Sequence, residues 1–294
     1  LWEKVKANKA AYLFVAPYSI LFFLFTVLPV AIAIVISFTN YNMLQPPEWV
    51  GWDNYLRLVL SDDIFLIAVK NTLVFAVITG PLSYFACFIF AWLINELRPK
   101  IRSVLTLLLY APSISGSVFM IWTLMFSGDA YGYINGFLLY WGIVNEPIQF
   151  LTDPKWMMAV VIIVVLWMSL GTSFLAFIAG LQGIDPRLYE AGAVDGIRNR
   201  WQELFYITLP QMRGYLMFGA IVSITGSFAA AGKIIPLVGF PSTDYAAHTV
   251  VAHLIDYGNV RFEMGTASAI AVILFFTMVV VQRLVQRALS NVGA

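Results

Sequence analysis

Long apolar runs alternate with short polar segments along all 294 residues of the chain. An apolar run of about 20 residues is long enough for an α-helix to cross a bilayer. The pattern therefore predicts an all-α, polytopic membrane protein with six transmembrane helices. The predicted spans cover about residues 11–38, 64–94, 104–126, 156–181, 215–235 and 266–284. Because the connecting loops are too short to hold a soluble domain, residues 1–294 are expected to form a single transmembrane domain.

Composition agrees with this pattern, because hydrophobic residues make up 61% of the chain, charged residues 11%, and the mean hydropathy is +0.83. So few polar side chains cannot cover a water-facing surface, and the expected surroundings are a lipid bilayer. The net charge of +1, without a dense basic patch, argues against a nucleic-acid partner. Cys87 is the single cysteine, which excludes an intrachain disulfide. The first residue is Leu1 rather than methionine, which suggests that further residues precede it.

Basic residues set the expected orientation. Most of the 17 lysines and arginines precede the first span, follow the last, or lie between spans two and three or four and five. The positive-inside rule places these segments, including the polar segment 182–213 and both termini, in the cytoplasm. The outer loops 40–63 and 128–155 are rich in aromatic residues and are predicted to form short interfacial segments. Docking of an external partner on these loops is the alternative.

Local signals predict two short helices within the polar segment. Asp185 can cap the first, and Gly196 is suited to end it in a left-handed conformation. Asn199 can cap the second with Gln202 as its capping-box partner, and Pro210 is expected to end it.

The first of these helices presents a narrow face of small side chains, formed by Leu188, Ala191 and either Val194 or Ala193. Such a face would let another protein approach closely. The sequence offers no obvious partner for it within this chain.

The residues of this segment carry a specific resemblance. Glu190-Ala191-Gly192, then Gly196 after three residues, then Ile207-Thr208-Leu209-Pro210 resemble the EAA loop of binding-protein-dependent ABC importer permeases, in the sugar-uptake branch of the maltose and glycerol-phosphate permease type. The sequence departs from the family pattern at two points. Gly192 stands where the motif has alanine, and ten residues rather than the usual nine separate Gly196 from Ile207.

The resemblance implies a permease domain with a cytoplasmic coupling-helix loop, 182–213, between helices four and five. The loop would sit in a cleft of a cytoplasmic ATPase subunit. There Glu190 would meet a basic or polar group, Ala191 and Gly192 would permit close approach, and Gly196 would supply the turn. The full set of coupling candidates is Leu188, Glu190, Ala191, Gly192, Asp195 and Gly196.

The resemblance also implies the partners. These are a second homologous permease subunit, two ATPase subunits that bind ATP and Mg²⁺, and an extracytoplasmic solute-binding protein. The chain itself would be a non-catalytic transport subunit without a cofactor, in the cytoplasmic (inner) membrane of a bacterium or archaeon.

Other chemical motifs are weak. The stretch 226–233 faintly resembles a phosphate-binding loop, but Ile234 replaces the required serine or threonine and the stretch lies in a predicted span. His248 and His253 are five residues apart, which suits a metal pair on one helix face poorly, so both are expected in a solvated loop. No catalytic residue and no metal site are predicted.

Polar residues within spans are costly and usually face the protein interior or a water-filled cavity. The pathway candidates are Ser169, Thr172, Ser173, Ser223, Thr225, Ser227 and Lys233. For the hydroxyl residues, hydrogen bonding to their own or a neighbouring helix is the preferred interpretation. Lys233 either snorkels to the outer interface, which is slightly preferred, or faces the route and pairs with a carboxylate or phosphate of an acidic sugar.

Two functional hypotheses follow. The first is the permease subunit of an ATP-driven importer of an oligo- or polysaccharide delivered by a solute-binding protein. The alternative is a self-sufficient secondary transporter or channel. That alternative predicts acidic residues or histidines within spans, or internal inverted repeats, and neither is evident.

Overall fold

The computed structural model describes residues 9–116 and 118–290, and most of them are helical. The α-helices are α1 Lys9–Phe22, α2 Leu28–Ile36, α3 Asp53–Leu60, α4 Asp63–Asn95, α5 Pro99–Ile114, α6 Val118–Met125, α7 Tyr133–Tyr140, α8 Pro154–Trp167, α9 Thr172–Gln182, α10 Pro186–Val194, α11 Arg200–Glu203, α12 Leu209–Gln211, α13 Arg213–Phe228, α14 Ala231–Val238, α15 Val250–Ile255 and α16 Met264–Ser290. Shorter elements are the π turns Phe23–Val27, Leu204–Thr208 and Asp256–Val260 and the 3₁₀ turn Thr243–Tyr245. Strands β1 Thr39–Asn40 and β2 Glu48–Trp49 pair antiparallel, with Thr39 opposite Trp49.

The described residues contain four helical stretches long and apolar enough to cross a membrane, namely Tyr12–Ile36, Asp63–Asn95, Pro154–Gln182 and Met264–Ala288. The total becomes six if the pairs α5 with α6 and α13 with α14 each count as one bent span. The axes of α13 and α14 differ by 41°. The third and fifth predicted spans each correspond to one of these bent pairs, and hydrophobic periodicity does not register such a bend.

The fourth predicted span is interrupted in its middle. Helix α8 ends at Trp167 and α9 begins at Thr172. Between them the Ser169 hydroxyl donates to the Leu166 carbonyl at 2.6 Å, and the Gly171 amide donates to the Ser169 carbonyl at 2.7 Å. These local bonds replace the regular helical ladder for one turn.

One compact unit comprises the described parts of residues 1–63 together with 253–275. Its predicted outer loop contains helix α3, as expected. The buried Asn54 amide donates to the Ser37 and Thr39 carbonyls, both at 2.9 Å. A side chain at Gly265 would place its Cβ 2.0 Å from the Thr39 carbonyl oxygen, so only glycine allows this close approach. Arg57 and Glu263 form an ion pair at 2.7 Å.

The second compact unit comprises the described parts of residues 64–252 and 276–294. Phe174, Phe177 and Met212 are fully buried in its main apolar core. Within the second outer loop, helix α7 is held by Asn135, which is 0% exposed and bonds to the backbone of Ser127 and Ile148.

The expectation of solvated histidines was wrong. His248 is 3% exposed and His253 is 1% exposed. The His253 Nε2 atom lies 3.0 Å from Asp62 Oδ2, and the His248 ring packs edge-on against Tyr245. An imidazole can be buried when a partner satisfies its nitrogen, and sequence spacing does not reveal such a partner.

Candidate functional site

The segment between α9 and α13 forms helices where the capping signals predicted them. Asp185 Oδ1 accepts a hydrogen bond from the Arg187 amide at 3.0 Å and starts α10. Gly196 has φ +95°, which ends that helix in the left-handed region. Both predicted boundaries of the first helix are therefore confirmed.

The second helix also begins as predicted, since Asn199 Oδ1 accepts from the Gln202 amide at 2.8 Å. Gln202 does not complete the predicted capping box. Its Oε1 accepts from the Arg198 amide, at 2.8 Å, whereas a capping box requires a bond from the amide of Asn199. The helical run passes through Pro210 and ends at Gln211. The predicted end at Pro210 was one residue short, because proline is tolerated where a new helical turn starts.

The π turn Leu204–Thr208 lies inside this run. A π turn carries a wider loop of backbone than an α turn and so accommodates one inserted residue without ending the helix. The turn contains Ile207. It therefore overlaps the end of the stretch between Gly196 and Ile207, in which this sequence has one residue more than the family pattern. The π turn gives a structural account of that extra residue.

Gly192 is buried against side chains of its own chain. A Cβ at this position would lie 2.7 Å from Ile207 Cδ1 and 3.1 Å from Ile197 Cδ1. The close approach that Gly192 permits is therefore to the π turn. The two departures from the family motif, the glycine and the extra residue, meet at this contact.

The remaining coupling candidates lie on the surface. Leu188 is 38% exposed, and Glu190, Ala191, Asp195 and Gly196 are exposed as well. Within the described chain, the Glu190 carboxylate has no ion pair. These side chains are therefore accessible at the surface of the described chain.

Polar and aromatic contacts attach the segment to the C-terminal end of α4. Arg200 lies 2.8 Å from Glu203 and 3.5 Å from Glu96, the residue that follows α4. The hydrogen bond to Glu203 and the nearby charge of Glu96 raise the pKa of the Arg200 guanidinium above its usual value. The rings of Trp92 and Trp201 have centroids 5.5 Å apart.

A second contact joins the two helices of the segment itself. The Tyr189 hydroxyl of α10 lies 3.0 Å from the Thr208 hydroxyl of the π turn. Together with the Arg200 and Trp201 contacts, it connects α10 to α4 through a short series of side chains.

A cavity of about 240 Å³ opens beside the interruption between α8 and α9. Six of the seven pathway candidates line it, namely Ser169, Thr172, Ser173, Ser223, Ser227 and Lys233. Thr225 lies apart, is exposed, and donates to the Ile221 carbonyl at 2.9 Å.

The cavity has further polar walls that the sequence-based candidates did not include, contributed by α4 and α5. These residues are Thr79, Ser83, Tyr110 and Ser113. Their spacing of three or four residues within each helix is the signal that they share a face.

The hydroxyl groups on the cavity wall also bond to backbone. Ser227 donates to the Ser223 carbonyl at 2.8 Å, and Ser173 donates to the Gly219 carbonyl at 3.3 Å. The preferred interpretation of these residues is thus correct, and it does not prevent them from lining a cavity.

Two features make the cavity electropositive. Lys233 is half-buried on its wall, and the ion pairs of the described residues do not include it. Helix α9 starts at the wall with Thr172, and no side chain caps its N-terminus. The unpaired amides of a first helical turn carry a partial positive charge. Lys233 thus lies on the cavity wall, as the cavity-facing alternative requires.

An exposed helix suited to a partner and a polar cavity among apolar spans define a membrane transport subunit. Residues 83–291 match the family of binding-protein-dependent transport system inner membrane components. The chain is 33% identical over 273 residues to the probable ABC transporter permease YesP of Bacillus subtilis (strain 168), covering 90% of this chain and 85% of the relative. It is 32% identical over 219 residues to the lactose transport permease LacF of Rhizobium radiobacter, covering 74% and 72%.

A solved structure gives the same answer. A bacterial ABC transporter involved in the import of the acidic polysaccharide alginate has a chain that matches with a TM-score of 0.75 and 26% identity, over 98% of both chains. The protein therefore belongs to the family of binding-protein-dependent inner membrane components and is an ABC sugar importer permease.

Proposed function

We propose that this chain spans the membrane six times, with both termini in the cytoplasm, and pairs with a second homologous permease subunit. The segment 182–213 would dock on one of two ATPase subunits, which hold ATP and Mg²⁺. A solute-binding protein would deliver the sugar to the outer face. The exposed Glu190 helix, on a segment firmly attached to α4, is the observation that carries this proposal.

Helix α4 gives a physical route from the ATPase to the cargo. Trp92 near its C-terminal end, and Glu96 directly after it, contact the coupling segment. Thr79 and Ser83 of the same helix line the cavity. A continuous helix transmits a displacement of one end to the other. Closure of the ATPases would therefore shift the cavity wall together with the coupling segment.

The proposed cargo is an acidic oligo- or polysaccharide. Lys233 and the uncapped N-terminus of α9 would both attract a carboxylate that enters the cavity. The structural similarity to the alginate importer supports an acidic cargo. The lactose permease relative shows that neutral sugars also occur in the family, so Lys233 carries the argument for charge.

Replacing Glu190 tests the coupling role. In proteoliposomes containing the full transporter, Glu190→Ala should strongly reduce both sugar uptake and the ATPase activity stimulated by the binding protein. Glu146→Ala, on an exposed position outside the coupling segment, is the matched control and should leave both unchanged. Transport that continues without any ATPase would instead support a self-sufficient carrier and refute the proposal.

Replacing Lys233 tests the cargo. Lys233→Gln should lower uptake of a uronate oligosaccharide more than uptake of its carboxyl-reduced, neutral form of equal length. Lys155→Gln is the control, since Lys155 lies on the surface near the start of α8. An equal loss for both sugars would show that Lys233 does not recognise charge.

A further inference from the structure

A second cavity shares one wall residue, Tyr110, with the cavity beside Lys233. This second cavity, of about 380 Å³, is lined by residues of α5 and α9. Its walls are Arg102, Ser103, Thr106, Leu107, Tyr110, Leu175, Ile178 and Gln182. Tyr110 therefore lies between the residues that line only one of the two cavities.

A single face of α5 contributes polar residues to both cavities. Ser103, Thr106, Tyr110 and Ser113 recur at intervals of three and four residues, which places them on one side of the helix. Beyond the charged residues Lys100 and Arg102 of its first turn, the rest of α5 is apolar, with Leu107 and Leu108 exposed. A polar face of this length on an otherwise apolar helix is costly in a membrane unless it lines a hydrated route.

The face ends at a fixed positive charge. One guanidinium nitrogen of Arg102 donates to the Asn95 backbone carbonyl at 3.3 Å and to the Asn95 side-chain oxygen at 3.2 Å. These two bonds hold the guanidinium in place. Within the described chain its remaining N–H groups have no further acceptor, so they are available to a ligand. Gln182 lines the same cavity from α9.

We propose that this face of α5 is the inner half of the cargo route, and that Arg102 receives the carboxylate of an acidic sugar after it leaves Lys233. Tyr110 offers its ring to the sugar between the two charges. The inference rests on the proposed function and adds the place where the cargo leaves the permease. An arginine held by its own chain and presenting free donors is well suited to a carboxylate.

The test compares three variants in proteoliposomes containing the full transporter and its binding protein. The substrates are a uronate oligosaccharide and its carboxyl-reduced form of equal length. Arg102→Gln should lower the acidic-to-neutral uptake ratio by about ten-fold, as expected for the loss of one close charge pair. Arg102→Lys should keep the ratio within about two-fold, because the charge is retained. Arg98→Gln, at the N-cap of α5 and outside the cavity wall, is the control.

The outcomes separate the two proposals. A wild-type transporter without preference for the acidic sugar refutes both. If Lys233→Gln removes the preference and Arg102→Gln does not, the cargo assignment stands and the role of Arg102 is refuted. If Arg102→Lys fails as badly as Arg102→Gln, the bonds to Asn95 serve only structure, and the proposal is overturned. Thermal unfolding of each purified variant shows whether it is folded.

Discussion

The contact between Gly192 and Ile207 makes a sharp prediction, because it joins the two departures from the family motif. Replacing Gly192 by alanine, the family's own residue, would set a methyl group 2.7 Å from Ile207 Cδ1. Carbon atoms prefer separations of about 3.5–4.0 Å. The family's usual residue should therefore be unfavourable in this chain.

The expected magnitude follows from two opposing terms. Overpacking a filled site costs about 1–3 kcal/mol. Alanine in place of a helical glycine is favourable by about 1 kcal/mol. Gly192→Ala should therefore lower the free energy of unfolding by about 0–2 kcal/mol. The size of this loss depends on how far the end of the Ile207 side chain can move.

A second substitution isolates the contact. Ile207→Val removes the Cδ1 atom and alone should cost about 0.5–1.5 kcal/mol. In the double variant the alanine keeps its helical advantage and loses its close contact. The two substitutions should therefore be non-additive by about 1–2 kcal/mol, with the double variant more stable than the sum of the singles predicts.

The measurement is a double-mutant cycle. Thermal unfolding is followed in detergent for the purified wild type, both single variants and the double variant. Gly214→Ala is the matched control, since an added Cβ there has open space within 4 Å. It should be neutral or slightly stabilising. Additive shifts in the unfolding midpoint would refute the link between Gly192 and the π turn.

Two further predictions concern the outer loops. Asn135→Leu removes hydrogen bonds to three backbone groups, at 2.8–2.9 Å, and each buried group left unpaired costs about 1–3 kcal/mol. Proteolysis around α7 should therefore become faster. Unchanged resistance to proteolysis would contradict the role of Asn135 in holding α7. Burial, with the Asp62 carboxylate 2.9 Å away, raises the pKa of Tyr257 from 10.0 to about 12. Between these values the unfolded chain holds fewer protons than the folded one, so stability should fall as pH rises from 10 to 12. Tyr257→Phe should remove the part of this loss of stability that Tyr257 causes. An identical pH dependence of stability in the wild type and the variant would exclude that contribution of Tyr257.

The sequence is a good guide to elements defined by local chemistry. Apolar length located the helical stretches, and Asp185 and Gly196 marked both ends of α10 because a capping carboxylate and a left-handed glycine act within one turn. The pathway candidates also came from a local rule, the cost of polar groups in apolar spans. Six of them share one cavity because the interruption beside Ser169 draws α9 and α13 around it.

Features that depend on distant contacts were missed. Ser169, Gly171 and Thr172 interrupt the apolar run at the break between α8 and α9. They did not identify the break, because single small or polar residues are also tolerated within a continuous helix. The burial of His253 requires Asp62, which is 191 positions away. Gly192 was assigned to an external partner because a small residue on a helix face looks the same whether its neighbour belongs to the same chain or to another.

The π turn at Leu204–Thr208 also has a consequence for exchanging parts between importers. The five-residue π turn accommodates the additional residue. Leu209 and the helix that follows therefore keep the rotation about the helix axis that they would have without it. A gap in an alignment with shorter relatives belongs within that turn. Chimaeras that replace residues 185–208 as one cassette should therefore leave the fifth span in register, whereas a junction placed inside the turn would rotate it by about 100°.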